Sequence, residues 1–417
     1  MSNSKDTRQK NPNVPNLRFS GYTNEWQTKR IDTLFEFVPN NSISRDGLNY
    51  DGGVWKNIHY GDILTVFPTV LDIRDGHVPY ISSPTFSSQS SLSTGDVVIA
   101  DTAEDYTAGK ALEVVISEGI KVVPGLHTIA CHPKVSFAPG FLGYYLNSSA
   151  YKERLRPLIQ GIKVYSISKS SLATTSISFP SYDEQYKIGL FLSIIDRRIS
   201  VQNKIIDDKK REIKALNDLL YRQTIKKHFR FADISRCYAG LFGKSADDFG
   251  EGMPYITYLN VLNNRYIDPS QRGYVSVKDG ESQNSLLYGD VVLTLSSETP
   301  QEVGVASVYL ESGIAYLNSF CTILRFDDEN VICSEYATWL FSTTAFRKHI
   351  YPFAQGSTRY NLNLGSFMQS QFAIPRIDSQ KKIGHMLNGL AQMVRIEERE
   401  LSRLYQIKKF LLNGLFI

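Results

Sequence analysis

YKIGLFLSIIDRRISVQNKIIDDKKREIKALNDLLYRQT, residues 186–224, contains no proline, and its apolar residues fall at alternating intervals of four and three. Ile188, Leu192, Ile195, Ile199, Gln202, Ile206, Lys209, Ile213, Leu216 and Leu220 trace one seam of heptad type. Charged residues of both signs fill the other faces, as on a solvated helix surface. At 1.5 Å per residue this helix is a rod of roughly 60 Å, too long to be a routine helix inside one globule.

The stretch occurs twice. EQYKIGLFLSIIDRRI (Glu184–Ile199) is echoed by SQKKIGHMLNGLAQMV (Ser379–Val394), 195 positions later. The offset holds along the seam, pairing Ile188 with Ile383, Leu192 with Leu387, Ile195 with Leu390, Ile199 with Val394, Ile206 with Leu401 and Leu216 with Leu411. The polar interruption also recurs, Gln202 matching Glu397. A polar residue in an apolar seam fixes register at some cost in stability. Shared phase and flanking identities argue for an internal repeat over two unrelated surface helices.

The sequences ahead of the two helices repeat in order. Val78-Pro79-Tyr80-Ile81 is answered by Met253-Pro254-Tyr255-Ile256, and Gly95-Asp96-Val97-Val98 by Gly289-Asp290-Val291-Val292. Gln160-Gly161 is answered by Gln355-Gly356, and Phe179-Pro180 by Ile374-Pro375. The first half holds short β-like runs such as GDVVIA and KALEVVIS between Gly, Pro, Asn and Asp, with a helix expected at residues 139–155, and the second half repeats its order. The expected fold is α+β: two β-rich α/β globules separated by two long antiparallel helices that form a coiled-coil spacer, with an internal pseudo-two-fold repeat. The boundaries read as a disordered N-terminal tail over 1–16, a first globule over 17–183 and its helix over 184–227, then a second globule over 228–378 and its helix over 379–417. Between the anchors the halves diverge, so one scaffold displays two different surfaces.

Composition sets the class. The 417 residues suit two or three domains, and 42% apolar with 21% charged residues is the balance of a folded soluble chain. A net charge of +4 permits a nucleic-acid partner without arguing for one. Cys131, Cys237, Cys321 and Cys333 are scattered with no CxxC pair, which reads as reduced thiols in a cytoplasmic protein. No apolar run approaches the ~20 residues that span a bilayer, so no membrane role is expected.

With these features the chain resembles the specificity (S) subunit of type I restriction–modification enzymes. The resemblance covers nearly the whole chain and rests on the two globules, the two repeated helices and a junction phrase. That phrase reads Gln160-Gly161, Pro180, Glu184-Gln185, Ile188-Gly189, then Gln355-Gly356, Pro375, Gln380, Ile383-Gly384, with Ser379 departing from Glu184. The opening at Pro15–Trp26 is similar to N-termini of the family. The resemblance implies two target-recognition domains, each reading one half of an asymmetric, interrupted site in double-stranded DNA. It implies that the paired helices set the unread spacer and dock two modification (methyltransferase) subunits, and that two restriction subunits complete the endonuclease. No catalytic residue and no cofactor belong to this chain; S-adenosylmethionine, ATP and Mg belong to the partners. A rod with globules leaning inward is compatible with half-sites one helical turn, roughly 34–36 Å, apart.

The residues themselves agree that chemistry is scarce. There is no Pro-Pro pair of the kind found in nucleic-acid methyltransferase motifs, and residues 104–111 (EDYTAGKA) lack the first Gly and the Ser/Thr of a phosphate loop. Asp101, Glu104 and Asp105 read as a polar loop before a nuclease-like cluster, since only Glu104 has an acidic counterpart, Glu298. His127, Cys131 and His132 lack a second ligand pair at zinc spacing, so no metal site is expected.

DNA contacts are nominated by residue type: Arg or Lys for guanine, Asn or Gln for adenine, Arg, Lys and Tyr for phosphate. The repeated Gln-Gly loop leads, with Gln160, Lys163 and Tyr165 in the first half and Gln355, Arg359, Tyr360 and Asn361 in the second. A plain turn with inward tyrosines stands beside that reading with equal weight. Lys56, Asn57 and His59, and Asn260, Asn263 and Arg265, are second candidates in the divergent stretches. Two other functions stay open: the recognition subunit of another bipartite restriction or modification system, and a coiled-coil adaptor that binds proteins. Salt separates the adaptor from both, because DNA binding weakens steeply with ionic strength.

Overall fold

The computed structural model describes residues 13–417 apart from 75, 76, 84, 89, 279 and 329. The expected tail therefore lies outside the described residues up to position 12. Beyond it, the Asn13 carbonyl accepts from Trp26 N at 3.0 Å and the Asn13 carboxamide donates to Glu25 at 3.2 Å. The two long helices are continuous, Tyr182–Gln223 with 42 residues and Ile377–Gly414 with 38. The chain divides into two compact units: one runs to Asn203 and takes in Glu400–Ile417, the other is Lys204–Arg399. Each unit thus holds one globule and a piece of both helices.

In the first unit a five-stranded sheet has the order Phe35–Val38, Thr128–Pro133, Val97–Ala100, Ala111–Val115, Val70–Asp72, antiparallel except at the last pair. GDVVIA lacks the polar alternation of a half-buried strand because both faces of this sheet are covered. Val97 and Ile99 enter one core cluster, with the helices Phe141–Leu146 and Ser149–Leu155; Val98 and Ala100 enter another, with Ile58, Ile63 and Val122. A four-stranded sheet, Lys121–Pro124, Trp55–Ile58, Tyr80–Ile81 and Leu48–Asn49, carries the divergent part. Gln27–Arg30 pairs antiparallel with Ser176–Phe179 just ahead of the long helix.

The long helices close the first core. Ile188 and Leu192 of one share the cluster with Leu415 and Phe416, which follow the other, and Asp196 pairs with Lys408 at 2.6 Å. Rising numbers meet falling ones, so the segments run antiparallel. Phe416 is 3% exposed, with its ring 5.9 Å from Phe141, 5.7 Å from Tyr145 and 6.4 Å from Trp26.

Glu113, on the strand Ala111–Val115, is buried and accepts from Gly140 N at 2.6 Å and Gly143 N at 3.0 Å. Burial raises its pKa from 4.5 to about 7 against the pull of those donors. The folded unit therefore holds a proton that the unfolded chain has released, and stability falls as pH rises from about 4.5 to about 7. The loss is expected to be at most about 3 kcal/mol. Glu113→Gln should flatten the dependence, read as hydrogen exchange of the strand Ala111–Val115 between pH 5 and 7.5; an unchanged slope would place the titration elsewhere.

The second unit repeats this plan with a four-stranded antiparallel sheet: Ser235–Ala239, Cys321–Phe326, Val291–Thr294, Ala306–Val308. Again Val291 and Leu293 enter one cluster and Val292 another. Lys226–Arg230 pairs with Gln371–Pro375, as Gln27–Arg30 does with Ser176–Phe179. The divergent part is a three-stranded sheet of Arg272–Val275, Phe249–Ile256 and Tyr316–Leu317. Tyr221 stacks on Phe372 at 5.9 Å, and Ile213 and Leu216 pack with Ile383, Leu387 and Leu390, so the helices are antiparallel here too.

Every seam residue named from the sequence is buried or half-buried. The polar layer holds an ion pair, Lys209 Nζ to Glu397 Oε1 at 2.6 Å, both half-buried. The junction phrase also acquires a cause. Gln185 Oε1 accepts from Ala138 N and its Nε2 donates to Pro180 O; Gln380 does the same with Cys333 N and Pro375 O. One buried carboxamide thus ties strand, helix start and globule together in each half. The following glycines allow close packing: a Cβ on Gly189 would lie 2.5 Å from Pro139 O, and one on Gly384 3.2 Å from Glu335 O. Glu184 receives two hydrogen bonds from the Arg18 guanidinium at 2.7 and 2.8 Å, a pairing that Ser379 cannot copy.

Candidate nucleic-acid interface

The Gln-Gly loop is a hairpin in both units. In the first, Gln160 and Ser166 exchange backbone hydrogen bonds at 2.9 and 2.8 Å, and Tyr165–Ser166 pairs with Thr102–Ala103. In the second, Ala354–Gln355 pairs with Tyr360–Leu362, which pairs in turn with Ser296–Ser297. Gly161 and Gly356 have φ of 132° and 145°, a region side chains avoid. A Cβ there would sit 1.9 Å from Val164 O or 2.0 Å from Arg359 O, so both turns require glycine.

The tips differ. Ile162, Lys163 and Val164 stand out in the first unit, Ile162 being 92% exposed; Ser357, Thr358 and Arg359 occupy the same places in the second. Each hairpin is braced by an aromatic ring and an arginine. Tyr165 packs on Tyr106 at 4.4 Å, with the Arg156 guanidinium 5.6 Å over Tyr106. Arg359 lies 4.7 Å over Phe320 and donates from Nε to Ser296 Oγ at 2.9 Å. Tyr106 and Phe320 remain exposed, presenting flat apolar surface beside a cation. Beside the first hairpin, His127 adopts a left-handed φ of 53°, packs on Tyr60 and contacts Asp101 at 3.3 Å. Among the described residues it is the sole non-glycine at positive φ. Such backbone strain clusters at functional sites.

Gln160, Lys163, Gln355, Arg359 and Asn361 are exposed on these hairpins, and Tyr165 and Tyr360 are half-buried at their bases. Several second candidates lie elsewhere and have internal work. Asn57 is fully buried, its Oδ1 accepting from Asn41 Nδ2 at 2.7 Å. Lys56 is 7% exposed and donates to Ile73 O. His59 is buried and caps the helix Tyr60–Thr65 by accepting from Gly61 N through Nδ1; burial, and then Arg45, lower its pKa, which suits the neutral ring. Asn260 is fully buried and holds the following loop through Asp268 N, Asp268 O and Gln271 O. Asn263 and Arg265 line a separate cleft of the second unit. Tyr106 and Phe320 were missed because each reaches its hairpin from a distant stretch of chain; Arg156 lies only four residues before Gln160, and its role shows only once Tyr106 is placed beneath it.

Asp105 caps its own turn through Thr107, and His132 Nδ1 lies 2.6 Å from Asp96 Oδ1. Among the described residues no three His, Cys, Asp or Glu side chains converge as metal ligands, and no helix is long and apolar enough to cross a membrane.

A sequence model of the type I restriction modification DNA specificity domain matches twice, over residues 23–210 and 229–406. The chain belongs to this family. It is a type I DNA specificity subunit, a class without a catalytic site of its own. Its duplicated scaffold has a counterpart in a structure described as the structural basis underlying complex assembly and conformational transition of the type I R-M system. That chain is 14% identical, with 94% of this specificity subunit and 98% of the other covered, and the TM-score is 0.56. The S subunit of a type I restriction–modification system from M. genitalium matches at 16% identity, over 97% of this chain and 99% of its own, with a TM-score of 0.49. The HsdS subunit from Thermoanaerobacter tengcongensis matches at 14% identity over 94% and 96%, with a TM-score of 0.42. No curated protein sequence matches this specificity subunit significantly.

Proposed function

We propose that each unit reads one half of an asymmetric, interrupted DNA site, with its Gln-Gly hairpin at the duplex. The observation that carries this is the same glycine-dependent hairpin built twice with different tips. Gln160, Lys163 and Tyr165, and Gln355, Arg359, Tyr360 and Asn361, are the contact residues, with Tyr106 and Phe320 added from the structure. Arg and Lys suit phosphate and guanine, Asn and Gln suit adenine. The buried Asn57 and Asn260 support the loops that present these faces.

The helix pair sets the unread spacer and docks two modification subunits. Tyr182, Tyr186, Leu190 and Ile194 recur every fourth residue at 48, 49, 47 and 53% exposure, an apolar stripe suited to a partner helix. S-adenosylmethionine, ATP and Mg enter with the modification and restriction subunits, and the assembly works in the cytoplasm as a methyltransferase and endonuclease. The chain co-expressed with its neighbouring modification subunit is expected to leave methylated bases in an asymmetric two-part motif with a fixed gap, read by sequencing host DNA. Replacing residues 231–375 with those of another specificity subunit should rewrite one half and leave the other intact. A motif rewritten in both halves, or in neither, would rule out one half per unit.

A further inference from the structure

The second unit holds a cleft of about 920 Å3 between its globule and its helix segments. Lys210, Lys214, Arg265, Arg347 and Arg395 line it, against the two carboxylates Glu335 and Glu398. Glu398 is spent on Lys210 at 2.7 Å. Arg347 donates to the carbonyls of Gly304, Gln301 and Val303. Arg265 lies 3.4 Å over the Trp339 ring and donates to Thr338 O and Ser342 Oγ, and among the described residues it pairs with no carboxylate. Burial, with repulsion from Arg395, lowers its pKa to about 10. Asp268, whose charge also reaches Arg395, is engaged by Ser270 and Gln271. A further lining group, Asn217, is 2% exposed and gives Nδ2 to Trp339 O, while its buried Oδ1 has no donor among the described residues.

The other half shows what such a place looks like when complete. Residues 195 positions apart correspond, so Trp339, Ala391 and Ile213 match Tyr144, Asp196 and Lys408. In the first unit Asp196 accepts from Tyr144 Oη at 2.9 Å and pairs with Lys408 at 2.6 Å. The second unit has Ala391 in place of that carboxylate and Ile213 in place of its lysine, with other cations around the gap.

We propose that this cleft receives an acidic, partly apolar peptide segment of the modification subunit, one carboxylate sitting between Arg265 and Arg395. The inference rests on the reading that modification subunits dock on the helix pair. A peptide is favoured over a DNA strand on two grounds. Asn217 Oδ1 needs a donor, which a peptide N–H supplies and a phosphate lacks. Ile213, Leu262, Leu310 and Val394 give the cleft apolar walls that a phosphate backbone would not fill. The docked copies are then inequivalent, only one being latched.

The test mixes the full chain with purified modification subunit and follows stoichiometry by native mass spectrometry and sedimentation. Arg395 and Lys214 are exposed, so Arg395→Glu and Lys214→Glu leave the fold intact. Wild type is expected to bind two copies; each variant should keep one at unchanged affinity and weaken the other at least tenfold. Two copies at wild-type affinity in both variants would overturn the latch. Variants that keep both copies but lose affinity for a DNA duplex would overturn it in favour of a phosphate site. A wild-type chain that binds no modification subunit would instead sink the docking reading beneath it.

Discussion

Deleting Leu415–Ile417 is expected to unfold the first unit while the second survives. Leu415 and Phe416 are 4% and 3% exposed and lie in the largest aromatic cluster of that unit. Tyr145 Oη also donates to Ile417 O at 3.1 Å. Phe416→Ala alone should cost about 3–5 kcal/mol through lost transfer energy and the cavity left behind. Whole domains are stable by only about 5–15 kcal/mol, so losing two buried residues and the half-buried Ile417 at once approaches the total. Hydrogen exchange separates the halves: protection in the strand Val97–Ala100 should collapse, while that in Val291–Thr294 persists. Equal loss in both strands would mean that the units unfold as one, and no loss would mean that the ring cluster is dispensable.

The second large effect concerns the hairpins. Gly161→Ala and Gly356→Ala each place a Cβ on a carbonyl oxygen at an unfavourable φ, so the tip must reopen. Such strain is worth about 1–3 kcal/mol. It falls on an exposed element whose displacement leaves both cores intact, so melting should barely change. Binding and modification of the two-part site should drop at least tenfold, each variant sparing the contacts of the other half. The measurement is affinity for a duplex with one half-site scrambled at a time. If each variant binds every duplex like wild type, the hairpins are turns and nothing more.

Much of this was legible in the sequence. The seam residues, the two halves and the Gln-Gly turn follow from periodicity, anchors and glycine chemistry, which are local properties. Asn57 and Asn260 show where local reading stops. An asparagine in a polar stretch looks like a surface group, and both are fully buried, satisfying loops that close from elsewhere in the chain. Gln185 and Gln380 were visible as repeated letters, but their partners Ala138 and Cys333 lie 47 residues away. The basic cleft drew on several separate segments and had no linear signature; Arg265 was picked for its charge, and the structure places it on Trp339.

The matched glutamine ties and glycine contacts have a consequence for inheritance. Each junction asks the globule mounted on it for a backbone N–H for the glutamine, a close approach for the glycine, and an apolar surface for Ile188 and Leu192 or for Ile383 and Leu387. A gene segment encoding one globule, exchanged at these junctions, arrives already fitted to its helix. If each unit reads one half-site as proposed, such an exchange would bring a whole new half-site in one step, without point-mutated intermediates that read nothing.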